Sequence, residues 1–477
     1  MRLTRTSWLW AILLALSACN PDSPTPDSGA QLGRMTGQAL LEGAASHEGI
    51  FLTISGTEHR AITDAAGHFD LGSLAPGTYT VVARKDLYAE ALQSVEVRAN
   101  QQHQVGLMLN RPAAPVLTAP ALAVQRGHLR LTGAHFGHER RTTRVSIGGV
   151  DVEEYLAWSD TEVVVRVPGS LTPGMHEVVM TTGLGQSPAA TASVRVLRQR
   201  TLAYAADWGI GVLPDNTVTV WGSADAQNDV TSIPAGLSDV VSVASGLSFA
   251  VALQADGTVV KWGGPDPIPV PAGLSDVVDI SAYHVLLLAL KRDGTVVAIG
   301  PEEAEETHVP EGLQDVVAVS AGAFHAMALK ADGTVTVWGQ DTLDLLAIPA
   351  GLENVVAIAN TSSSGLALRA DGTAAVWGFG AAYYDLALTP DLGDVVDIAG
   401  GEHHYVALRS NGTIVAWGNS AYGQTTPPAG LTDGAAVAGQ AFNKSLVLRQ
   451  NGTIASWGDS SPSKLPPPGL VLRVPAR

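Results

Sequence analysis

From about residue 200 onward the apolar residues come in short blocks that repeat. A first block, as in Asp239-Val-Val-Ser-Val243 or Asp315-Val-Val-Ala-Val319, is followed by a loop and a second block such as Ala328-Leu329-Lys330. A third follows, as in Thr334-Val-Thr-Val-Trp338-Gly339. Blocks this short, bounded by Gly, Asp, Asn and Pro, predict strands rather than amphipathic helices. Between the second and third blocks stands a tight-turn dipeptide: Asp215-Asn216, Asp256-Gly257, Asp293-Gly294, Asp332-Gly333, Asp371-Gly372, Asn411-Gly412 and Asn451-Gly452, each followed by Thr. These turns recur every 37 to 41 residues. Three strands per unit at a period near 40 predict propeller blades, and seven such units predict a closed seven-bladed β-propeller over residues 200–477. Most units are entered through a Pro-x-Gly-Leu linker (Pro234–Leu237, Pro271–Leu274, Pro310–Leu313, Pro349–Leu352), which the first unit lacks. Pro468-Gly469-Leu470 supplies one at the far end, so the two ends are expected to meet and close the ring.

The third strand ends in Trp-Gly at Trp221, Trp262, Trp338, Trp377, Trp417 and Trp457, with Ile299-Gly300 in the remaining unit. Rings at one repeat position are candidate ligand stackers, but their regular spacing favours packing between neighbouring blades. His325 and His404 share another repeat position, held elsewhere by Phe249, Leu286, Ser364 and Lys444. A ring of metal ligands would not tolerate those replacements, so a packing role is expected.

Upstream, the pattern is again extended segments between turns. Residues 34–110 contain Thr63-Asp-Ala-Ala-Gly-His-Phe69 and Leu74-Ala-Pro-Gly-Thr-Tyr79. This T-D-x-x-G-x-F … L-x-P-G-T-Y run resembles the carboxypeptidase regulatory-like (transthyretin-like) domain, which implies a non-catalytic β-sandwich; His68, between Gly67 and Phe69, is expected to be a solvent-facing strand residue rather than a ligand. Residues 112–198 carry Gly133-Ala-His-Phe136-Gly137, Ile147-Gly-Gly149, Trp158-Ser-Asp160 and Val165-Arg-Val-Pro168. In this order they resemble an IPT/TIG domain, an immunoglobulin-like sandwich for which a spacing role is expected here. The fold class is therefore all-β: two small β-sandwich domains followed by the propeller.

Composition sharpens this picture at two points. The net charge of −17 repels a polyanion over most of the surface, which argues against nucleic acid as a partner even though Arg140, Arg141 and Arg144 lie close together. The single cysteine, Cys19, excludes an internal disulfide. It follows Arg2 and Arg5, an apolar run from Trp8 to Leu16, and Ser17-Ala18. That is a charged segment, a short apolar segment and a small-residue cut site, too short to remain as a membrane span. Leu16 to Cys19 resembles the lipobox of bacterial lipoproteins. The resemblance implies a signal peptide over 1–18, acylation of Cys19, and, since Asn20 rather than Asp follows, anchoring to the outer membrane or cell surface. Residues 19–33 then read as a flexible tether.

The unit Ala321 to Gly339, A-x-G-x-x-H-x-x-A-L-x-x-D-G-x-V-x-x-W-G, resembles the regulator of chromosome condensation repeat. The P-x-G-L linkers and Trp417-Gly-Asn-Ser-Ala-Tyr-Gly-Gln424 look closer to its bacterial relatives, including the propeller-type β-lactamase inhibitory protein. Catalytic spacings are missing: His176-Glu177 has no second histidine at the zinc-protease spacing, and there is no C-x-x-C, phosphate-binding loop or G-x-S-x-G. No enzyme, metal or cofactor is expected. One loop per blade carries Tyr283, Phe324, His403 and Phe442, with Trp208 in the matching region of the first unit. Grouped on one rim, exposed aromatics of this kind would act as anchors of an interface, as the resemblance to the inhibitory relative also implies. The expectation is a monomeric, non-catalytic surface lipoprotein whose propeller binds a protein or glycan on a sandwich stalk. The alternatives are an extracellular polysaccharide hydrolase or lyase, which needs carboxylates and histidines converging on the central channel, and an inhibitor of a secreted enzyme.

Overall fold

The computed structural model describes residues 31–475 except 87, 112–114, 137–142, 182–189, 198, 206, 223–228, 265–268, 343, 380, 382–385, 387–389, 391, 439–442 and 460–464. The leader, Cys19, Arg140 and Arg141 therefore lie outside the described residues. Strands account for nearly all regular structure in them, with a 3-10 turn at Glu305–Thr307. The chain divides into two compact units, residues 1–112 and 113–477.

In the first unit, a three-stranded sheet (His68–Leu74, Gly33–Leu41, Gln102–Leu109 in spatial order) faces a four-stranded one (Arg60–Ile62, Phe51–Ile54, Gly77–Arg84, Ala91–Val97). Alternation along Gly33–Leu41 sends Met35, Ala39 and Leu41 inward to meet Leu52, Ile54 and Val81. The Asp64 turn depends on its side chain, whose Oδ1 accepts the amides of Ala66 (3.0 Å) and His68 (2.8 Å). Gly67 follows at φ +86°, where a Cβ would strike the Ala39 carbonyl oxygen. The Tyr79 hydroxyl donates to the Ala75 carbonyl across the Pro-Gly bend (3.1 Å), and His68 is exposed.

The second unit opens with a sandwich. A four-stranded sheet (Tyr155–Trp158, Glu162–Arg166, His128–Ala134, Val116–Thr118) packs on a five-stranded one (Val150–Asp151, Arg144–Ile147, Gly174–Thr181, Ala190–Leu197, Leu122–Val124). Among the described residues seven three-stranded antiparallel sheets follow in chain order, numbered here as blades 1 to 7. Their first strands are Leu202–Ala205, Val240–Ser245, Val277–Tyr283, Val316–Ala321, Val355–Asn360, Val395–Gly400 and Gly434–Ala438. In every hairpin the Asp or Asn carboxyl or amide oxygen accepts the amide of the following Thr, at 3.0 Å in Asp215 and 2.9 Å in Asp332, for example. The next residue takes positive φ, between +80° and +93° at the six glycines and +64° at Asn216, which explains why Asn alone replaces Gly there.

Neighbouring blades are joined by the tryptophans. Trp338 packs with Val278, Leu288 and Leu290 of the preceding blade, and its indole donates to the Glu306 carbonyl of the intervening linker (2.9 Å). Trp262, Trp377, Trp417 and Trp457 make the same bond to Val230, Leu345, Leu386 and Gln424. Ile299 fills the equivalent slot against Phe249, Val251 and Leu253 without such a bond. The rings are therefore packing elements, all at most 9% exposed.

Blade 1 pairs its own three strands, and the tail docks onto it at the turn end. The Leu472 amide donates to the Gly452 carbonyl (2.8 Å), the bond that Val316 and Val355 make to Gly294 and Gly333 at the start of their own first strands. The Arg473 amide continues to Val212 (2.7 Å), and its guanidinium reaches Asn216 Oδ1 (2.6 Å) and the Val240 and Val241 carbonyls (3.1 and 2.9 Å). Leu472 packs with Leu202, Tyr204, Trp221 and Leu446, so residues of blades 7 and 1 share one core.

The IPT/TIG-like sandwich, for which a spacing role is expected, packs directly on the propeller. The Leu122 amide donates to Ala331 (3.2 Å) and the His128 amide to Arg292 (2.9 Å), both at hairpin turns of the propeller. Leu122 and Leu197 pack with Val317, Leu352 and Val355, and Val124 joins Val278 and Val316. These contacts all fall at the turn end of blades 3 to 5.

Candidate binding rim of the propeller

With the sandwich on the turn end, the opposite end of the propeller is formed by two kinds of segment: the loop between first and second strands, and the segment after the third. They are stitched together. Gln340 donates to the Phe324 carbonyl (2.9 Å), Asn419 to His403 (2.9 Å) and Asp459 to Asn443 (2.8 Å) within blades, while Leu247 donates to His284 (2.8 Å) and Ser362 to Glu402 (3.3 Å) between them. Such bonding gives the rim the fixed backbone that a recognition surface requires.

The five residues expected at this rim part company. Phe324 is 42% exposed, a large apolar ring held at the rim. His403 is half-buried beside Glu402, 3.7 Å from its carboxylate, and burial lowers the imidazole pKa and raises that of the Glu402 carboxyl. Trp208 is buried among Ile210, Val240 and Trp262, its indole donating to the Leu247 carbonyl (3.2 Å). It begins a second strand, where its Cβ points into the blade interface. Tyr283 closes the first strand of blade 3 and is buried against Leu286 and Ala321. Burial pushes its phenol pKa up, the Glu402 charge adds to this, and the Ser362 hydroxyl opposes it. Neither Trp208 nor Tyr283 is an exposed anchor. Phe442 lies outside the described residues. Leu247, Phe379 and Tyr422, exposed by 38, 48 and 58%, also stand at this end, and the repeat pattern of the loops does not point to them because Phe379 and Tyr422 follow Trp-Gly.

The interior shows what the other repeat positions do. His325 Nε2 pairs with Asn360 Oδ1 of the next blade (3.0 Å) and His404 Nε2 with Ser445 Oγ (2.9 Å). Burial brings both pKa values down to about 4. Gly322 and Gly401 are required beneath them: a Cβ at Gly322 would lie 2.6 Å from His325 Cε1. Tyr405 completes a similar link through Ser364 Oγ (3.0 Å). These are blade-to-blade staples.

At the turn end, a cavity of about 300 Å³ lies between the sandwich edge (Pro173, Arg195, Leu197) and the channel mouth, and it holds Arg200, Asp279 and Asp397. Two carboxylates near one another would suit acid–base chemistry, and burial raises the Asp279 pKa to about 6 although Arg200 opposes the shift. Their bonds point elsewhere. Asp397 accepts the Val437 amide of the next blade (3.0 Å), and Asp279 accepts from Val319 in the corresponding place. No histidine lines this cavity among the described residues, and none of these carries a group of three or more His, Cys, Asp or Glu placed for a metal ion.

This geometry defines a class of protein, an all-β chain of two sandwiches and a propeller whose polar interior is spent on holding blades together. The comparisons agree on the parts. Residues 37–110 match the carboxypeptidase regulatory-like domain, 123–194 the IPT/TIG domain, and 316–343 and 395–424 the regulator of chromosome condensation (RCC1) repeat. These are domains of kinds that typically bind or regulate. No curated protein sequence matches the chain. Similar solved structures include the CRINKLY WD40 ectodomain of the Arabidopsis thaliana receptor kinase ACR4 (19% identity, 56% of this chain and 98% of that one, TM-score 0.46). Prp20p from Saccharomyces cerevisiae is another (18% identity, 58% and 87%, TM-score 0.43), as is the C-terminal domain of gp131 from bacteriophage phiKZ (14% identity, 57% and 95%, TM-score 0.37).

Proposed function

We propose that the chain is an exported lipoprotein, anchored through Cys19 at the outer membrane or cell surface, whose propeller is a non-catalytic protein-binding scaffold. The observation that carries the reading is the division of labour between the two ends of the ring. One end is occupied by the IPT/TIG-like sandwich through Leu122, Val124 and Leu197. The other presents Phe324, Phe379 and Tyr422 on hydrogen-bonded loops. Rigid aromatic side chains at low entropy cost are what an interface uses as anchors.

Two measurements test this. Incorporation of labelled palmitate by cells expressing the full chain is expected, and is expected to vanish in Cys19→Ser; label retained in that variant defeats the anchor. For binding, the immobilised full chain is exposed to envelope and culture-medium extract beside Phe324→Ser. A protein held by the native chain and lost by the variant supports the rim, whereas the same proteins recovered from both remove it.

A further inference from the structure

The rim carries a charge pattern that follows neither from its apolar anchors nor from the acidity of the whole chain. In blades 3 to 7 the second strand ends in a cation just before the hairpin turn: Lys291, Lys330, Arg369, Arg409 and Arg449. All of these stand at the end that the sandwich shares. Among the described residues of the rim loops there is no lysine or arginine. Lys261, on the third strand of blade 2, lies over the Phe249 ring, 4.5 Å from its centroid, and Lys444 is buried.

The rim segments on either side of the blade 4 third strand, which neighbour the Phe324 loop, are acidic. The segment linking blades 3 and 4 reads Pro301-Glu-Glu-Ala-Glu-Glu306, with Glu302, Glu303 and Glu305 exposed, and Asp341 is exposed one residue after Gln340, whose amide bonds Phe324. Glu306 differs from its neighbours. It is 3% exposed, and its Oε2 has no hydrogen-bond partner among the described residues. It lies near the backbone of the anchor: a Cβ built on Gly339 would touch the Phe324 carbonyl oxygen and, at 3.2 Å, Glu306 Cβ. A buried carboxylate oxygen left without a donor is costly, and a cation or donor brought to it relieves that cost.

Resting on the reading of the rim as a protein-binding surface, we infer that its blade 3–4 arc, with Phe324 exposed and Glu302, Glu303, Glu305, Asp341 and the buried Glu306 on the neighbouring rim segments, docks a basic protein segment in which lysines or arginines flank an apolar side chain. The apolar side chain packs on Phe324 and the flanking cations meet the glutamates. Like-charge contact would exclude acidic segments from the same place.

The test uses the full chain and a displayed library of random dodecamer peptides, from which binders are selected and then synthesised. Selected sequences are expected to carry several Lys or Arg around an aliphatic or aromatic residue. Phe324→Ser is expected to weaken them about tenfold or more, as for an interface anchor. A triple Glu302→Gln, Glu303→Gln, Glu305→Gln variant, and a rise in salt from about 50 to about 300 mM, are each expected to weaken them several-fold. All four side chains are exposed, so circular dichroism and melting temperature should match the native chain in every variant. Peptides that need Phe324 but are uncharged, or that ignore the glutamates, overturn the basic partner while leaving the rim intact. Peptides indifferent to Phe324 and the glutamates alike, or no selection at all, overturn both.

Discussion

Removing the buried side chain of Leu472 should loosen the whole ring. This residue is 1% exposed and sits in a core drawn from the first and last blades, with Leu202, Tyr204, Trp221, Leu446 and Leu448 around it. A buried Leu→Ala change costs about 2–5 kcal/mol, and the upper part of that range applies where neighbours cannot collapse into the space. Here they are held from two directions by separate blades. Arg473 adds three side-chain hydrogen bonds from a charged donor, each worth about 1.5–3 kcal/mol and not additive. Against a total stability of about 5–15 kcal/mol, either loss is large. Urea unfolding of the full chain followed by tryptophan fluorescence reads it out, with Trp221 in the affected core. For a slope of about 3 kcal/mol per molar, a loss of about 3 kcal/mol lowers the midpoint by about 1 M. Val471→Ala is the control, since Val471 is 43% exposed and its truncation should stay within about 0.5 kcal/mol. A Leu472→Ala midpoint within about 0.2 M of the native one would refute closure by the tail.

Three further outcomes are expected. Trp338→Ala should cost about 3–5 kcal/mol, and more than Ile299→Ala, because it also strands the Glu306 carbonyl; equal midpoints in urea would count against the indole bond. Stability should fall with acid: His325 and His404 have folded pKa values near 4, below the unfolded value of about 6.5, so the unfolded chain takes up protons first. Their contribution is complete above about pH 6.5 and is lost as pH falls toward 4, on the order of 3 kcal/mol for each; a pH profile of the urea midpoint that His325→Gln/His404→Gln does not flatten would exclude them as the cause. A double-mutant cycle of Leu122→Ala with Val317→Ala should show a coupling of about 0.5–3 kcal/mol, and additive losses would mean that sandwich and propeller unfold without reference to each other.

The architecture was legible because its determinants are local and repeated. Asp-Gly-Thr and Asn-Gly-Thr write the hairpin in three residues, and Trp-Gly marks one position per blade, so each blade confirms the last. The partner of each indole was not legible, since it is a carbonyl some 32 residues earlier in an irregular linker. Exposure at the rim was only half legible. Tyr283 and Phe324 occupy nearly equivalent loop positions, yet the blade 3 strand runs on through Tyr283, which turns inward, whereas Gly322-Ala323 ends the blade 4 strand before Phe324. Docking of the IPT/TIG-like sandwich left no mark in the sequence. Leu122 and Val124 read as ordinary strand residues, and only the structure shows that their outer neighbours belong to another module.

Closure by the tail also sets an order of events. Thr201 and Arg473 meet across 272 residues of chain, whereas the strands of each blade pair within a single period. Blades 2 to 7 contain only short-range hairpins and can form as they are made. Blade 1 pairs its own strands in the same way, but the core it shares with blade 7, around Leu202 and Tyr204, stays incomplete until Leu472 packs into it. A nascent molecule is thus an open arc until its tail docks, and two such arcs can exchange tails before either closes. The same joint that seals the ring is the place where a crowded solution would link two copies into a pair.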